Sequence, residues 1–299
     1  RLPLVPSLHG MRPAWGRPSL RPRNLLLHLR VRAAARLEAS LDKRALSAVI
    51  AVSDAVREDW RPYLASRGIP DERIEVIYSG IPIDAYRPSS DGRAGRGIRD
   101  ELGIPHDAPV VVTVSRLYPG KRNELLIPVL AALRERVPGT QLVVVGEGPE
   151  RERLANEIRA AGLEGAVHLV GRRLDVAAFL EAADLFVFPS GREGFGLVVV
   201  EALAAGLPVV CAPLPSLRRV AEASPALRMV ADDSAAGFTA ETTALLLDRE
   251  RSARLGEEGR RYIADHWDVK VSARRYEDVY LSLLGAVRAD AIGSPASTR

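Results

Sequence analysis

The stretch that decides the fold is "LFVFPSGREGFGLVVVEALAAGLPVVC", residues 185–211. It opens on "LFVFPS", whose continuous apolar run fits a strand buried on both faces. Gly191, Gly194 and Gly196 follow at once and permit backbone conformations that other residues avoid. Residues 196–205 then read as a helix, and "PVVC" opens a second apolar strand. Strand, glycine turn, helix and strand in this order build a parallel sheet covered by helices on both faces.

The same alternation runs upstream. "PVVVTVS" (109–115), "QLVVVG" (141–146) and "VHLVG" (167–171) read as strands, with helices at 123–136, 150–161 and 175–183 between them. Ligands of such sheets bind beyond the carboxyl ends of the strands. Nearer the N-terminus, "LPLVPSL" (2–8) reads as a short buried strand running into His9 and Gly10. Residues 24–46 read as an amphipathic helix with a basic face. "AVIAVS" (48–53) is a strand whose last residue, Ser53, caps the next helix, and "RIEVIYSGI" (73–81) is a further strand. The Pro, Ser and Gly of "RPSSDGRAGRG" (87–97) signal a linker. The expected division is a partial N-terminal domain at 1–90 and a C-terminal domain at 91–267, then an amphipathic helix within 268–285 and a disordered tail at 286–299.

Composition narrows the class. No apolar run reaches the roughly 18 residues of a membrane-spanning helix. The lone cysteine, Cys211, excludes an intramolecular disulfide and a cysteine-cluster metal site, and it suits a reducing compartment. The five histidines form no close pair at metal-ligand spacing. Residues 1–44 hold ten Lys or Arg against two acids, a net +8 in a chain of net +4, so the remainder is negative. A basic region of this kind meets nucleic acid or an anionic membrane surface, or is a solvated face of an Arg-rich protein. Residue 1 is Arg and no signal peptide precedes it, so a fragment or trimmed chain is expected.

Three places carry candidate chemistry. In "VGEGPERERL" (145–154) Arg151 stands where a dinucleotide fingerprint needs its third glycine, and Pro149 follows the second, so a tight turn is the better reading than a hydride-transfer site. In "VSRLYPGKRN" (114–123), Arg116 and Lys121 leave the end of a strand. Only three of the 42 basic residues are Lys (Lys43, Lys121, Lys270), so a Lys in this loop marks a place for a compact charge. A guanidinium fork suits two phosphate oxygens. The same pair also reads as two solvated loop cations. In the opening stretch, the helix start offers free N–H groups and a dipole to an anion. Glu193 precedes that turn. Glu201 sits in an otherwise apolar helix, where it accepts hydrogen bonds from a diol such as a ribose or pairs with a nearby Arg. Two cations, a helix N-terminus and two carboxylates together suit a nucleotide-sugar.

"SRLYPGKR" (115–122) and "PSGREGFGLVVVEALAAGLPVV" (189–210) resemble the retaining glycosyltransferases of family four, with the GT-B architecture of two Rossmann-like domains. That family's pattern of Glu, seven residues, Glu falls on Glu193 and Glu201. "AVIAVSDAVREDW", "EVIYSGIP" and "VVVGEGPERERL" resemble it too, so the likeness covers residues 3–285. The resemblance implies that Arg116 and Lys121 hold the donor diphosphate and stabilise the leaving group. It assigns Glu201 to the donor ribose, and Glu193 with the backbone of Gly194, Phe195, Gly196 and Leu197 to the transferred sugar. His9 falls where the family places a histidine near that sugar, and the last helix is expected to cross back to the first domain. The implied reaction transfers a sugar from a UDP-, GDP- or ADP-sugar with retention of configuration, without metal or cofactor. The implied acceptor is a glycan, a lipid-linked or a small molecule, in cell-envelope glycan or glycolipid biosynthesis. No nucleic-acid partner is expected. The expected location is the cytoplasm, with peripheral contact on the inner membrane face through the basic helix.

The sequence departs from the family in three places. "CAPLPSLRRVAE" (211–222), with Pro213, Pro215 and Arg219, replaces a loop with a glycine pair and a glutamate. Ser115 replaces a glycine. The N-terminal domain is shorter than the family's and is expected to be incomplete. The competing expectations are a donor-binding fragment or partner subunit without catalysis, and another GT-B activity such as a sugar-nucleotide epimerase.

Overall fold

A computed structural model describes residues 5–11 and 47–292, with side chains through 285. The chain divides into two compact units, Arg1–Ser79 with Ser272–Arg299, and Gly80–Val271. The helix expected at 24–46, and with it the basis for membrane contact, lies outside the described residues, as does the "GSPASTR" tail. Among the described residues no helix is long and apolar enough to cross a membrane.

Among the described residues the first unit holds a parallel sheet of three strands in the order β1 (Ser7–Leu8), β2 (Val49–Ala51), β3 (Ile74–Val76). Within the described part of the strand expected at 2–8, β1 covers two residues and is only half-buried, wetter than the buried strand expected. Ser53 caps α1 (Asp54–Ser66) as expected, its hydroxyl accepting from Val56 N at 3.2 Å. The last helix, α10 (Val269–Ile292), contributes Ser272, whose hydroxyl donates to Tyr78 O at 2.8 Å, and Arg275, which donates to Val76 O at 3.0 Å. It extends to Ile292, so the tail expected from 286 is in its first part helical.

The second unit holds six parallel strands: β4 (Val110–Val114), β5 (Gln141–Val145), β6 (Val167–Gly171), β7 (Leu185–Phe188), β8 (Val209–Cys211) and β9 (Leu227–Met229). Their order across the sheet is β6-β5-β4-β7-β8-β9. The chain first winds outward from β4 to β6, then returns to pair β7 with the other side of β4, Val111 opposite Leu185 and Val112 opposite Phe186. This reversal makes a crevice at the carboxyl ends of β4 and β7. The intervening helices are α2 (Arg93–Leu102), α3 (Leu126–Arg136), α4 (Arg151–Ala160), α5 (Val176–Glu181) and α6 (Leu197–Ala204). Phe186, Phe188, Phe179, Leu130 and Leu180 are buried between sheet and helices.

At the opposite end of the same two strands Arg99 acts as a clamp. Its guanidinium donates to Ala182 O at 2.9 Å and Ala108 O at 2.7 Å and meets Asp184 at 3.2 Å. Asp184 in turn accepts from Val110 N at 2.8 Å. A buried guanidinium needs all its donors satisfied, and this one holds the starts of β4 and β7 together.

The expected linker at 87–97 is corrected by α2, which begins at Arg93. Composition is overridden by one carboxylate. Glu181 accepts from Ser89 N at 2.7 Å, Ser89 Oγ at 2.6 Å and Gly95 N at 3.1 Å, fixing the segment to α5. The units divide instead at Ser79–Gly80. Beyond β8 the structure adds elements that the sequence reading left unassigned: α7 (Arg218–Ala223), β9, α8 (Ala235–Leu247) and α9 (Arg249–His266).

Candidate donor site

The loops after β4 and β7 carry Arg116, Lys121 and Glu193 to the crevice at the strand ends. After β4 the chain enters the 115–122 loop, which lies against the turn after β5. A Cβ on Gly146 would sit 1.8 Å from Ser115 O, and one on Gly148 would sit 2.3 Å from Leu117 O. The glycines of "VGEGPERERL" thus serve close backbone approach, not a dinucleotide. Ser115, the departure noted above, is exchanging hydrogen bonds with the buried Asn123 at 3.0–3.1 Å.

Arg116 is exposed, its guanidinium over the Tyr118 ring at 5.3 Å from the centroid. Lys121 ends the 3₁₀ turn Pro119–Lys121. Its ammonium lies 5.8 Å from the centroid of the Phe188 ring and forms an ion pair with Glu193. The same Glu193 oxygen accepts from Ser190 Oγ at 2.7 Å. Gly191 N donates to Gly120 O at 3.1 Å, so the two loops are joined through main chain as well. Arg122 holds the only left-handed non-glycine backbone among the described residues, φ 56°. Its side chain anchors the loop to Asp233 at 2.7 Å. Strain of this kind concentrates at functional loops that surrounding contacts over-determine.

Gly196 leads into α6 with φ 94°. Leu197, the first helical residue, is 40% exposed, while Phe195 behind it is buried against Trp267, ring centroids 5.1 Å apart. The proline-bearing loop after β8 packs onto this turn. Ser216 Oγ donates to Phe195 O at 3.3 Å, and the buried Leu217 side chain lies where a Cβ on Gly196 would be 3.6 Å away. The loop that departs from the family therefore still supports the turn.

Glu201 is on the second turn of α6, half-buried. Burial pushes its carboxyl above the ordinary glutamate value of 4.5, and a hydrogen bond with Tyr86 opposes that rise. Burial, then the charge of Glu201 and the hydrogen bond to it, push the Tyr86 phenol far above its usual range. Part of the answer to why an apolar helix carries Glu201 is thus a tyrosine hydroxyl from far upstream.

The structure brings together Lys121, Glu193, Gly194, Phe195, Gly196, Leu197, Glu201 and Arg116 in one unit. His9 lies in the other unit, exposed, just after β1. Ser190, Tyr86, Arg122 with Asp233, and Trp267 were not singled out from sequence. Ser190 alone had a local signal, as the polar end of an apolar strand.

The family model described as "Glycosyl transferases group 1" matches residues 96–262, more than half of the chain. The chain belongs to this family. A second model, "Glycosyltransferase Family 4", matches residues 1–85 of this group 1 glycosyltransferase chain. A GDP-mannose-dependent alpha-(1-6)-phosphatidylinositol monomannoside mannosyltransferase of Mycolicibacterium smegmatis is 34% identical over 73% of the chain, and a D-inositol 3-phosphate glycosyltransferase of Xylanimonas cellulosilytica is 32% identical over 78%. The group 1 chain spans 59% and 58% of the length of these relatives. A crystal structure of Anabaena HepE in complex with UDP and glucose matches with a TM-score of 0.76 and 26% identity, covering 94% of this chain and 72% of that one. The two parallel-sheet units are those of the GT-B architecture.

Proposed function

We propose that this chain carries a retaining, metal-independent glycosyltransferase activity that moves a sugar from a nucleotide-sugar to an acceptor. The observation that carries the reading is the convergence of Lys121, Ser190 and Glu193 at the strand-order reversal, beside the start of the helix that bears Glu201. Lys121 and Arg116 take up the charge that grows on the leaving diphosphate. At about 4 Å and an effective dielectric near 20, one such contact contributes roughly 4 kcal/mol before desolvation. The diphosphate competes with Glu193 for Lys121, which leaves Glu193 to accept from sugar hydroxyls. Glu201 accepts from the ribose diol. His9, which the resemblance places near the transferred sugar, belongs to the first unit. The nucleotide-sugar is substrate, no cofactor takes part, and the cations Arg116 and Lys121 do the electrostatic work of a metal.

The relatives' names support an acceptor that bears inositol phosphate, free or lipid-linked. Glycolipid assembly at the cytoplasmic membrane face is the corresponding setting. A second reading, a donor-binding unit without transfer of its own, is favoured by one observation: every proposed donor residue except His9 lies within Gly80–Val271.

Calorimetric titration with UDP, GDP and ADP, with Glu201→Ala as control, tests the donor site. One nucleotide binding tightly and being lost in the variant supports the reading, and no binding to any of the three overturns it. Incubation of the matching nucleotide-sugar with inositol phosphate or phosphatidylinositol then separates the two readings. An α-linked product from an α-linked donor, undiminished by EDTA, supports retaining, metal-independent transfer. Binding without product supports the second reading.

A further inference from the structure

The chain leaves the first unit at Ser79–Gly80 and returns to it at Val271–Ser272. On the second unit's side these two crossings are bonded to each other. Ile81 N donates to Trp267 O at 2.9 Å, Val269 N donates to Ile81 O at 2.9 Å, and Ile81 pairs with Asp268 as an isolated parallel bridge. The approach is so close that a Cβ on Gly80 would sit 2.6 Å from Asp268 O. Two aromatic side chains project from this junction into the donor site. Trp267, 4% exposed, stacks on Phe195 of the glycine turn with an interplanar angle of 24°. Tyr86 ends the short 3₁₀ helix Ile83–Tyr86 that follows the bridge, and its hydroxyl bonds Glu201.

We propose that the crossing junction, residues 80–86 with 267–269, is a positioning element of the donor site, with Trp267 fixing the 194–197 turn through Phe195 and Tyr86 fixing the carboxylate of Glu201. The inference rests on the donor-site reading above and adds residues that lie outside its motifs. The turn contains Gly194 and Gly196, the latter at φ 94°, and has little side-chain mass of its own to lock it. Phe195 is its one buried large side chain, and its ring needs a rigid wall. Trp267 supplies that wall, and Trp267 is itself held by the main-chain bridge. Glu201 needs an oriented carboxylate, since a diol reads both oxygens. A phenol on one oxygen fixes the plane and leaves acceptor capacity for the ribose. Neither aromatic needs to touch the reacting atoms, so both are positioning residues.

The test uses the full chain and nucleoside diphosphates as probes. The tightest binder among UDP, GDP and ADP is titrated against wild type, Tyr86→Phe, Trp267→Leu and Trp267→Phe, with Tm measured for each. Tyr86→Phe keeps the ring and loses the hydroxyl, and it is expected to weaken binding about tenfold while Tm falls by a few degrees and the chain stays folded. Trp267→Leu is expected to weaken binding at least as much, and Trp267→Phe to restore most of it by retaining the stack. If wild type binds and Tyr86→Phe binds equally well, the assignment of Tyr86 is overturned. If Trp267→Leu folds and binds like wild type, or if Trp267→Phe stays as weak as Trp267→Leu, the assignment of Trp267 is overturned. If Trp267→Leu fails to fold, the comparison of Trp267→Phe with Tyr86→Phe decides, because a positioning role predicts near-normal binding in the first and loss in the second. Failure of wild type to bind any of the three overturns the donor-site reading and this proposal together.

Discussion

Glu193 is shared between an ammonium and a hydroxyl, and that sharing sets what each residue can do. Lys121 is held by Glu193 within the crevice, its side chain only 17% exposed, so it is oriented before any phosphate arrives. On the proposed reading a diphosphate draws it from that carboxylate, and it then stabilises the charge that develops on the leaving group. Lys121→Ala is expected to lower turnover about 10²- to 10³-fold at saturating donor, and an unchanged steady-state rate would remove Lys121 from the leaving-group role. Glu201 predicts a pH dependence. Only its ionised form accepts both hydroxyls of a diol, and burial raises its pKa above 4.5 in the folded chain. Nucleotide affinity is therefore expected to strengthen as pH rises through that raised value and to be lost as pH falls through it, with Glu201→Gln flattening the profile. For the unliganded fold the sign reverses: the raised pKa contributes stability below 4.5 that is lost as pH rises through the folded value. Calorimetry across the acid range checks the first and denaturation across it the second. From sequence, the types of these residues were legible, since a Lys in an Arg-rich chain and a Glu in an apolar helix are both out of place. Their partners were not. Tyr86 reaches Glu201 through tertiary packing that no local pattern encodes.

Elements were read best where apolar side chains mark the buried face. α6 begins at Leu197, as the glycines before it foretold. α9 escaped because its buried stripe is Ser252, Gly256, Gly259 and Ile263, a helical period written mostly in small residues. The reason is close packing. A Cβ on Gly256 would sit 1.9 Å from Gly206 O, in the turn after α6, and one on Gly259 would sit 2.7 Å from the Ala226 Cβ. Small residues let α9 press on the far side of the element that carries Glu201. Gly256→Ala sets two effects against each other. Ala favours the helix by about 1 kcal/mol, while a backbone clash at this separation costs about 1–3 kcal/mol or more. The clash wins, and the urea midpoint is expected to fall. A raised midpoint would show that the two elements are not so tightly apposed. α8 was hidden in a similar way, by the buried Thr239, Thr242 and Thr243 among its apolar residues.

At the scale of the molecule, the parallel α/β class was legible because β4, β5, β7 and β8 are continuous apolar runs. The order of the strands was not, since periodicity fixes which residues are buried and leaves open which strand lies next to which. Yet that order makes the site: Lys121 meets Glu193 because β7 returns to the side of β4. The first unit was legible through Ser53 and two short apolar strands, and the domain division was misplaced because Pro, Ser and Gly report composition and not tertiary anchoring by Glu181. The fold also carries its own reporter. Cys211 ends β8 fully buried, and burial pushes its thiol up to about 12. It is expected to resist thiol reagents in the native chain and to react only when the second sheet opens. A bound nucleotide should slow that labelling further, by stabilising the closed state. Rapid labelling of the native chain would mean that β8 is less protected than its packing implies.

The ion pair of Lys121 and Glu193 has one more consequence, for the speed of encounter. A cationic crevice draws anionic ligands from a distance, and the attraction weakens steeply as ionic strength rises. Here the pair is electrically neutral to an approaching ligand, and Arg116 is the exposed cation of the two proposed phosphate holders. Nucleotide capture should therefore draw on Arg116 alone of these two cations and show a weaker salt dependence than with Lys121 unmasked. Glu193→Gln should unmask Lys121 and make stopped-flow association both faster and salt-sensitive. On the proposed reading the native chain gives up that long-range pull and gains selectivity: a diphosphate would have to displace the carboxylate at close range before Lys121 answers it.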